Sequence, residues 1–463
     1  MTHYKLNTLL WMLCICSSVC LADTLTTHYG RISGIHQDGC TEYLGIPYAT
    51  PPVGELAFRH PVPPTPWDTV LRADHGRANC IQHLGAYSMN IQDHDALYLN
   101  IYVPEHAHAD ALPVMVWIHG GGFSTGGTGL ATDSTMSFDM ALFARETQTI
   151  VVTFNYRLNT EGFLYLSYLN PRFEDNCGLY DQLLALRFVK DNITAFGGDT
   201  TRITLFGQSA GAASVLALMT IPEADDLYTG CIAMSPCAEH FFTPEEAQYH
   251  TQVYLRGIGI SARHVDKLLT LPTRRIQKRN YYFQSDLITA KGDMRCAFSP
   301  VIDGTLLKEA PWKAVCRSHK PLLIGYVSNE ARLFMTGVPK GVMPLMSKIL
   351  HLDVPSKKEI NLPYDWRLEK VMSDHMFVHP IDSIFEAYEG PKWCYEYTYQ
   401  TPEIQALGGG CAHAYEMPVL FGRHTELCDP TDPQTAAKGQ EMRAVFGHFA
   451  YTHTANWTGK CTF

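Results

Sequence analysis

The stretch RITLFGQSAG, residues 202–211, contains the turn that decides the fold. Its first half, Arg202–Phe206, is a short β-branched and apolar run typical of a strand, and Ala210–Met219 is rich in small and apolar helix formers. A glycine at each end of the GQSAG segment lets the strand and helix backbones approach closely, because no Cβ atom intervenes. Such a turn exposes the hydroxyl of Ser209, so the pattern predicts a nucleophilic serine between a strand and a helix.

Segments around this stretch alternate between strand-like and helix-like patterns. Pro113–Ile118 and Thr149–Phe154 are continuous apolar runs, as expected for strands covered on both faces. Between Leu179 and Phe196 apolar residues recur at steps of three and four, which predicts one face of a helix. Further strand-like runs lie at Gly230–Met234, Pro321–Tyr326 and Trp393–Tyr399. The alternation predicts the α/β class, with a large, mostly parallel central sheet and helices on both faces.

Length and composition favour one large domain. The chain has 463 residues, 46% of them hydrophobic, and no linker, repeat or break in composition divides it. We therefore expect a single domain over residues 23–463. The 36 basic and 46 acidic side chains leave a net charge of −10, which argues against a nucleic-acid partner because such proteins carry basic surfaces. The sequence leaves the oligomeric state open.

The first residues have the pattern of an export signal. Lys5 precedes the apolar segment Leu9–Leu21, and the small residue Ala22 is followed at once by the polar Asp23. The apolar segment has 13 residues, fewer than the roughly 20 that cross a bilayer. Residues 1–22 are therefore predicted to be a cleaved signal peptide. The mature protein is expected to be secreted, extracellular or periplasmic, without a stable membrane span.

The cysteines bear on compartment and metal binding. Of the 14, those at 14, 16 and 20 fall in the predicted signal, which leaves eleven. In an oxidising compartment we expect most of these to form disulfide bonds, with at least one unpaired because their number is odd. The C-x-x-C spacing of zinc ribbons is absent, and His106 and His108 are interpreted as part of a solvated loop. We expect neither a metal nor a cofactor.

A glycine-rich segment, HGGGF at 119–123, directly follows the predicted strand at Pro113–Ile118. A tetrahedral oxyanion requires preorganised donors, usually backbone N–H groups of such a loop. Gly121, Gly122 and Ala210 are the candidate donors. A phosphate-binding loop is the alternative, but the Gly-Lys-Ser/Thr ending of that motif is missing here.

An acid and a base should follow the serine in chain order if the sheet is that of an α/β-hydrolase. Glu330 lies in the loop just beyond the predicted strand Pro321–Tyr326, and Asp303 is the rival acid. His413 lies beyond the last predicted strand, and His424 is the rival base. The turn context of Asp303 and the polar loop around His424 disfavour both rivals.

With these residues placed, the chain resembles the type-B carboxylesterase/cholinesterase family of α/β-hydrolases. The matching blocks run in family order through nearly the whole mature chain and are jointly specific. They are GIPYA at 45–49, PPVGEL at 51–56, LYLN at 97–100, WIHGGGF at 117–123, NYR at 155–157, GLYDQ at 178–182, FGGD at 196–199, FGQSAG at 206–211, NEARLF at 329–334 and FG at 421–422.

The resemblance implies a secreted serine carboxylesterase that hydrolyses small-molecule carboxylic esters through an acyl-enzyme, with no metal or cofactor. The implied roles are nucleophile for Ser209, acid for Glu330, base for His413, oxyanion donors for Gly121, Gly122 and Ala210, and substrate contacts for Phe123 and Gln208. A non-catalytic adhesion or binding protein on the same scaffold is disfavoured because all three triad candidates are present. A lipase is disfavoured because the polar segment 81–95 makes a poor amphipathic lid.

Two departures from the family pattern concern the substrate. Gln208 stands where the family usually has Glu, which removes a negative charge beside the serine. Cys80 faces Ala96 where a second cysteine usually closes a loop, and no tryptophan lies between them to hold a quaternary ammonium. Choline esters are therefore disfavoured, and a neutral ester with a small or medium acyl group is the default expectation.

Residues 241–295 are more polar and helical in pattern, which predicts an insertion over the sheet. Within it, the cluster of Arg274, Arg275, Lys278 and Arg279 predicts a solvated helix face. The neighbouring aromatic run 281–283 predicts packing positions, with an acyl-pocket wall as the alternative.

Overall fold

The computed structural model describes residues 20–82, 91–105, 111–128, 140–291, 293 and 295–463. Most of the predicted signal peptide, His106 and His108, and the greater part of the segment proposed as a poor lid lie outside these ranges. The first described strand begins at Cys20. No helix in the described ranges combines the length and hydropathy that crossing a bilayer requires.

The described strands form one twelve-stranded sheet. In chain order they are β1 (Cys20–Thr27), β2 (Gly30–Gln37), β3 (Cys40–Pro47), β4 (Leu71–Arg72), β5 (Tyr98–Pro104), β6 (Leu112–Ile118), β7 (Ile150–Phe154), β8 (Gly198–Gln208), β9 (Gly230–Met234), β10 (Leu322–Val327), β11 (Lys392–Tyr397) and β12 (Lys460–Thr462).

The sheet has an antiparallel and a parallel part. Its strands lie in the order β1-β2-β3-β5-β7-β6-β8-β9-β10-β11-β12, with β4 beside β2. Neighbours from β1 to β7 along this order are antiparallel, and every pair from β7 to β12 is parallel. The predicted mostly parallel sheet is thus found, with an antiparallel edge that the sequence did not single out.

The α-helices are α1 (Ala141–Thr147), α2 (Asn159–Phe163), α3 (Cys177–Asn192), α4 (Ala210–Leu218), α5 (Pro244–Ile258), α6 (Thr273–Lys291), α7 (Pro311–Ala314), α8 (Arg332–Met335), α9 (Met343–Ile349), α10 (Tyr364–Ser373), α11 (His379–Ala387), α12 (Pro402–Ala406), α13 (Glu416–Leu420) and α14 (Pro433–Thr452). A π-helix, Asp374–Val378, joins α10 to α11, and short 3-10 helices occupy Gly54–Leu56, Ile193–Phe196, Pro222–Ala224, Ala262–Thr270 and Val315–Arg317.

Helices cover both faces of the parallel part. Val114 and Val116 of β6 belong to the core that includes residues of α3 and α4. Met115 and Trp117 of the same strand belong to a second core that includes residues of α1 and α14. Because successive side chains of a strand point to opposite faces, a strand buried on both must be apolar throughout. This explains why β6 and its neighbours read as continuous apolar runs.

Two expectations from the sequence are not met. None of the eleven cysteines after the predicted signal forms a disulfide bond with another described residue, so the expected disulfide bonds are absent from the described part of the chain. Cys80, for example, is buried in the same core as Ala96, and an alanine cannot form a disulfide bond. In the insertion, Arg274, Arg275 and Lys278 are exposed as predicted, but Arg279 is buried. Its guanidinium donates to the carbonyl oxygens of residues 253 and 254 and pairs with the carboxylate of residue 286.

Candidate active site

The predicted site residues lie beyond the carboxyl ends of neighbouring parallel strands. The HGGGF segment follows β6, Ser209 follows β8, Glu330 follows β10, and His413 lies in the segment after β11. Carboxyl ends of parallel strands meet at one edge of a sheet, where open α/β sheets bind their ligands. The topology therefore brings together segments that are up to about three hundred residues apart in the chain.

Ser209 occupies a strained turn between β8 and α4. Its φ of 59° and ψ of −123° lie in a region that side-chain-bearing residues rarely adopt. Its backbone N–H donates to the carbonyl oxygen of Met234 at 2.9 Å. A Cβ atom on Gly211 would lie 2.0 Å from the carbonyl oxygen of Ile118, so only glycine fits there. These contacts hold the serine at the top of the sheet, as the GQSAG pattern predicts.

His413 and Glu330 form a buried hydrogen-bonded pair. The His413 Nδ1 lies 2.5 Å from Glu330 Oε2, and the other carboxylate oxygen accepts from the backbone N–H of Val327 at 2.9 Å. Burial by itself lowers the pKa of the imidazole, but the charge and hydrogen bond of Glu330 outweigh it and raise the pKa of His413 to about 8. With Nδ1–H donated to the carboxylate, the neutral ring presents a lone pair at Nε2.

The free nitrogen of His413 faces Gln208. Gln208 Nε2 lies 3.2 Å from His413 Nε2, so the amide can donate to the imidazole lone pair. The Ser209 hydroxyl is turned the other way, and its Oγ lies 3.6 Å from the Cys237 sulfur. A hydrogen bond between Ser209 Oγ and His413 Nε2 is not among those formed by the described residues. Such bonds are often long in ligand-free sites and tighten when substrate binds.

The glycine loop after β6 presents backbone donors beside the serine. Gly121 has a φ of 102°, and a Cβ atom there would lie 2.2 Å from the carbonyl oxygen of Thr125. The N–H groups of Gly121 and Gly122 are not used in any hydrogen bond between described residues. Ala210 is the first residue of α4, where an N–H group has no partner within the helix. The loop approaches the serine turn at Gly120, where a Cβ atom would lie 3.2 Å from the Ser209 Cβ.

Neither of the rival residues, Asp303 and His424, reaches this cluster. The Asp303 carboxylate accepts from the side chain of Asn176 and from backbone N–H groups of its own turn. His424 is an exposed residue near the start of the segment after α13. Among the described residues, the hydrogen-bond partners of the His413 ring are Glu330 and Gln208.

The aromatic candidates lie in the core or on the surface. Phe123 is fully buried, and its ring centroid is 4.8 Å from that of Phe163. Its contact with substrate stays a prediction, because the contact observed is with the core. Phe283 is also fully buried and packs on Phe298 at 5.0 Å. The two tyrosines before it are about half exposed. Packing, the favoured interpretation of this run, therefore holds for Phe283.

Residues that the sequence did not single out also lie here. Glu416, the first residue of α13, is buried, and burial and the charge of Glu330 raise its pKa to about 8. On the other side of Ser209, the sulfurs of Cys237 and Cys296 and a ring nitrogen of His240 lie within 4.8 Å of one another. The C-x-x-H spacing at 237–240 could have indicated two members of this cluster. The third member, Cys296, follows 56 positions after His240, so no short motif contains all three.

Comparison with known proteins identifies the family. A model of the carboxylesterase family matches residues 22–345. Para-nitrobenzyl esterase of Bacillus subtilis is 34% identical over 428 residues, 86% of this chain and 82% of that protein. Cholinesterase of Mus musculus is 34% identical over 370 residues, 73% of this chain and 59% of that protein. A solved structure of a PNB esterase has a TM-score of 0.78 at 31% identity, covering 93% of this chain and 91% of that one.

The family match covers more than half of the chain, and the similarity to the solved esterase extends over almost all of it. The resemblance inferred from the sequence motifs is therefore confirmed, as is the predicted fold class. The chain belongs to the carboxylesterase family, a family of carboxylic ester hydrolases, and has the α/β-hydrolase fold.

Proposed function

We propose that the chain hydrolyses carboxylic esters in two steps through an acyl-enzyme on Ser209. The observation that supports this most directly is the buried His413–Glu330 pair beside a serine held in a strained turn. In the first step the hydroxyl turns from Cys237 toward His413, whose Nε2 accepts its proton as the oxygen attacks the ester carbonyl. Glu330 keeps the proton on Nδ1 and stabilises the imidazolium that forms.

The negative oxygen of the tetrahedral intermediate points at the N–H groups of Gly121, Gly122 and Ala210. Each such donor contributes about 3 kcal/mol when it meets the charge that develops in the transition state. His413 then gives its proton to the departing alcohol, which leaves the acyl group on Ser209. Water attacks the acyl-enzyme with His413 again as the base, and the carboxylic acid is released.

The first test is Ser209→Ala. We expect turnover of p-nitrophenyl butyrate to fall to background, up to about a millionfold in kcat, because the proposed acyl-enzyme forms on the Ser209 oxygen. The matched control is Ser318→Ala, at a serine before the amino end of β10 and so at the opposite edge of the sheet. Retained turnover in the Ser209 variant would overturn the assignment.

We propose a neutral ester with a small or medium acyl group as the substrate. Gln208 carries no charge beside Ser209, so a cationic alcohol group gains no partner from that position. Preferential turnover of butyrylthiocholine over p-nitrophenyl butyrate would contradict this choice.

We also propose that residues 1–22 direct export and are removed. The support is the short apolar segment with a small residue and a polar start beyond it. N-terminal sequencing of the mature protein would test the cleavage position, and a mature chain that begins at Met1 would contradict it.

A further inference from the structure

The side of Ser209 that faces away from His413 carries two thiols and an imidazole. Cys237 and His240 lie in the loop after β9, and Cys296 follows α6 in the insertion. The Cys296 sulfur is 3.1 Å from His240 Nδ1, and all three ligand atoms lie within 4.8 Å of one another. Cys237 and His240 are buried and Cys296 is partly buried. The proposed mechanism uses none of these groups.

The three side chains present suitable donor atoms to a common point. The backbone N–H of Cys296 donates to His240 Nδ1 at 3.2 Å, so this nitrogen carries a lone pair and the ring proton lies on Nε2. A cation that binds Nδ1 would take the place of this N–H at the single lone pair. A thiolate is the form that binds metal ions.

Two sulfurs and an imidazole nitrogen are the ligands that thiophilic divalent cations prefer. Zinc binds thiolate sulfur at about 2.3 Å and imidazole nitrogen at about 2.0 Å, which places tetrahedral ligand atoms roughly 3.5–3.8 Å apart. The three ligand atoms lie within 4.8 Å of one another, and the closest pair, Cys296 Sγ and His240 Nδ1 at 3.1 Å, would have to move apart by about 0.5 Å. The protons of the Cys237 and Cys296 thiols would pass to solvent as the cation binds.

Two members of the cluster lie next to the reaction centre. Ser209 Oγ is 3.6 Å from the Cys237 sulfur, and the Cys296 sulfur would be 3.3 Å from a Cβ atom on Gly122. A cation held by the three side chains would therefore border both the serine oxygen and the glycine loop. By attracting the lone pair of Oγ, it would hold the hydroxyl away from His413.

One ligand of the cluster also borders a cavity. His240 lines a cavity of about 250 Å³ whose other lining residues include Glu239, Asp293 and Arg295. Because Arg295 pairs with Asp293, the charge of that carboxylate is already compensated.

We propose that Cys237, His240 and Cys296 form a binding site for a thiophilic divalent cation such as Zn²⁺, and that its occupancy reversibly inhibits hydrolysis at Ser209. The inhibition rests on the proposed function, whereas the binding does not. Binding and turnover are therefore measured separately.

Binding is measured by titrating the full chain, reduced with a phosphine and stripped with a chelator, with Co²⁺. We expect one sulfur-to-cobalt charge-transfer band per chain, which Zn²⁺ removes by displacement. Loss of outer partners alone lowers metal affinity about 10–100-fold, so loss of a ligand in Cys296→Ser or His240→Gln should lower it by at least roughly 100-fold. The matched control, Cys316→Ser, changes a thiol outside the cluster and should keep the band.

Turnover of p-nitrophenyl butyrate is then compared with and without Zn²⁺ within each variant. We expect a chelator to restore the zinc-inhibited wild-type chain and Cys316→Ser to behave likewise, whereas Cys296→Ser and His240→Gln should lose the response. Absence of the band in the wild-type chain, or an unchanged band in both ligand variants, would overturn the site.

Two further outcomes separate cation binding from disulfide formation and from ester hydrolysis. Inhibition that a thiol reductant reverses and a chelator does not would indicate a Cys237–Cys296 disulfide and would overturn the cation site. A wild-type chain that shows the band but never turns over ester would confirm the cation site and contradict the proposed function.

Discussion

Two buried ion pairs, Arg157–Asp181 and His413–Glu330, each join a basic side chain to a carboxylate. They differ in whether the basic side chain keeps a nitrogen that the pair does not use. Arg157 donates from Nε and Nη2 to the two oxygens of Asp181, at 2.8 and 2.7 Å, and from Nη1 to a backbone carbonyl. Its backbone N–H also donates to Asp181. The His413–Glu330 pair is equally buried, but His413 Nε2 still has a lone pair facing Gln208 and the serine turn.

The contrast between the pairs shows how similar chemistry can serve structure in one place and reaction in another. A saturated pair has no atom to offer a ligand, and its charges are stable only while both partners remain. An open pair keeps one nitrogen available for a proton, and its carboxylate raises the pKa of the imidazole toward neutrality. Removing one partner of Arg157–Asp181 should therefore lower the stability of the fold. Removing one partner of His413–Glu330 should instead lower the rate of ester hydrolysis.

The largest expected effect is on turnover, in Glu330→Gln. The amide cannot stabilise the imidazolium and can reverse the ring's hydrogen bonding, so we expect kcat to fall by roughly ten-thousandfold. The thermal unfolding midpoint should change little, because glutamine is close in size to glutamate. The measurement is steady-state hydrolysis of p-nitrophenyl butyrate beside a thermal melt. Asp303→Asn, at the rival acid, is the control and should retain turnover. Loss of turnover in Asp303→Asn with retention in Glu330→Gln would assign the acid to Asp303.

The next effect is on stability, in Arg157→Met. The substitution leaves the Asp181 carboxylate buried without its partner, so we expect the free energy of unfolding to fall by about 3–5 kcal/mol. Arg187→Met removes the exposed partner of Asp226 and should lower it by less than about 1 kcal/mol. Denaturant unfolding of both variants checks this. Equal losses of unfolding free energy in the two variants would contradict a larger contribution of the buried Arg157–Asp181 pair to stability.

The smallest effect is on the pH profile of the unmodified chain. His413 must be neutral to accept the serine proton, and its pKa is raised to about 8. Protonation therefore removes the base as pH falls, so kcat/KM should rise about tenfold per unit from about pH 6 toward 8 and level off above. The buried His119, whose pKa is lowered to about 4, stays neutral over this window. A midpoint near the ordinary histidine value of about 6.5 would contradict the open-pair description.

Much of the parallel sheet could be predicted from the sequence, because strands buried on both faces leave a continuous apolar pattern. The predicted strand Pro113–Ile118 corresponds to β6 at Leu112–Ile118 and Thr149–Phe154 to β7 at Ile150–Phe154. The antiparallel edge was not singled out because β1 and β2 include exposed residues and break that pattern. Arg279 was assigned to a solvated face because helical spacing alone does not reveal that its neighbours at 253 and 254 offer carbonyl oxygens.

Local sequence alone accounts for the serine turn, the glycine loop and the neutral Gln208, because these depend on local backbone geometry and on residue identity at fixed spacing. Tertiary packing selects which carboxylate meets His413 and which way the Ser209 hydroxyl turns. It also brings Cys296 to Cys237 and His240. The physical reason is that the distance between side chains far apart in the sequence depends on the order of the strands in the sheet and on the packing of the insertion. No short sequence pattern encodes either of these.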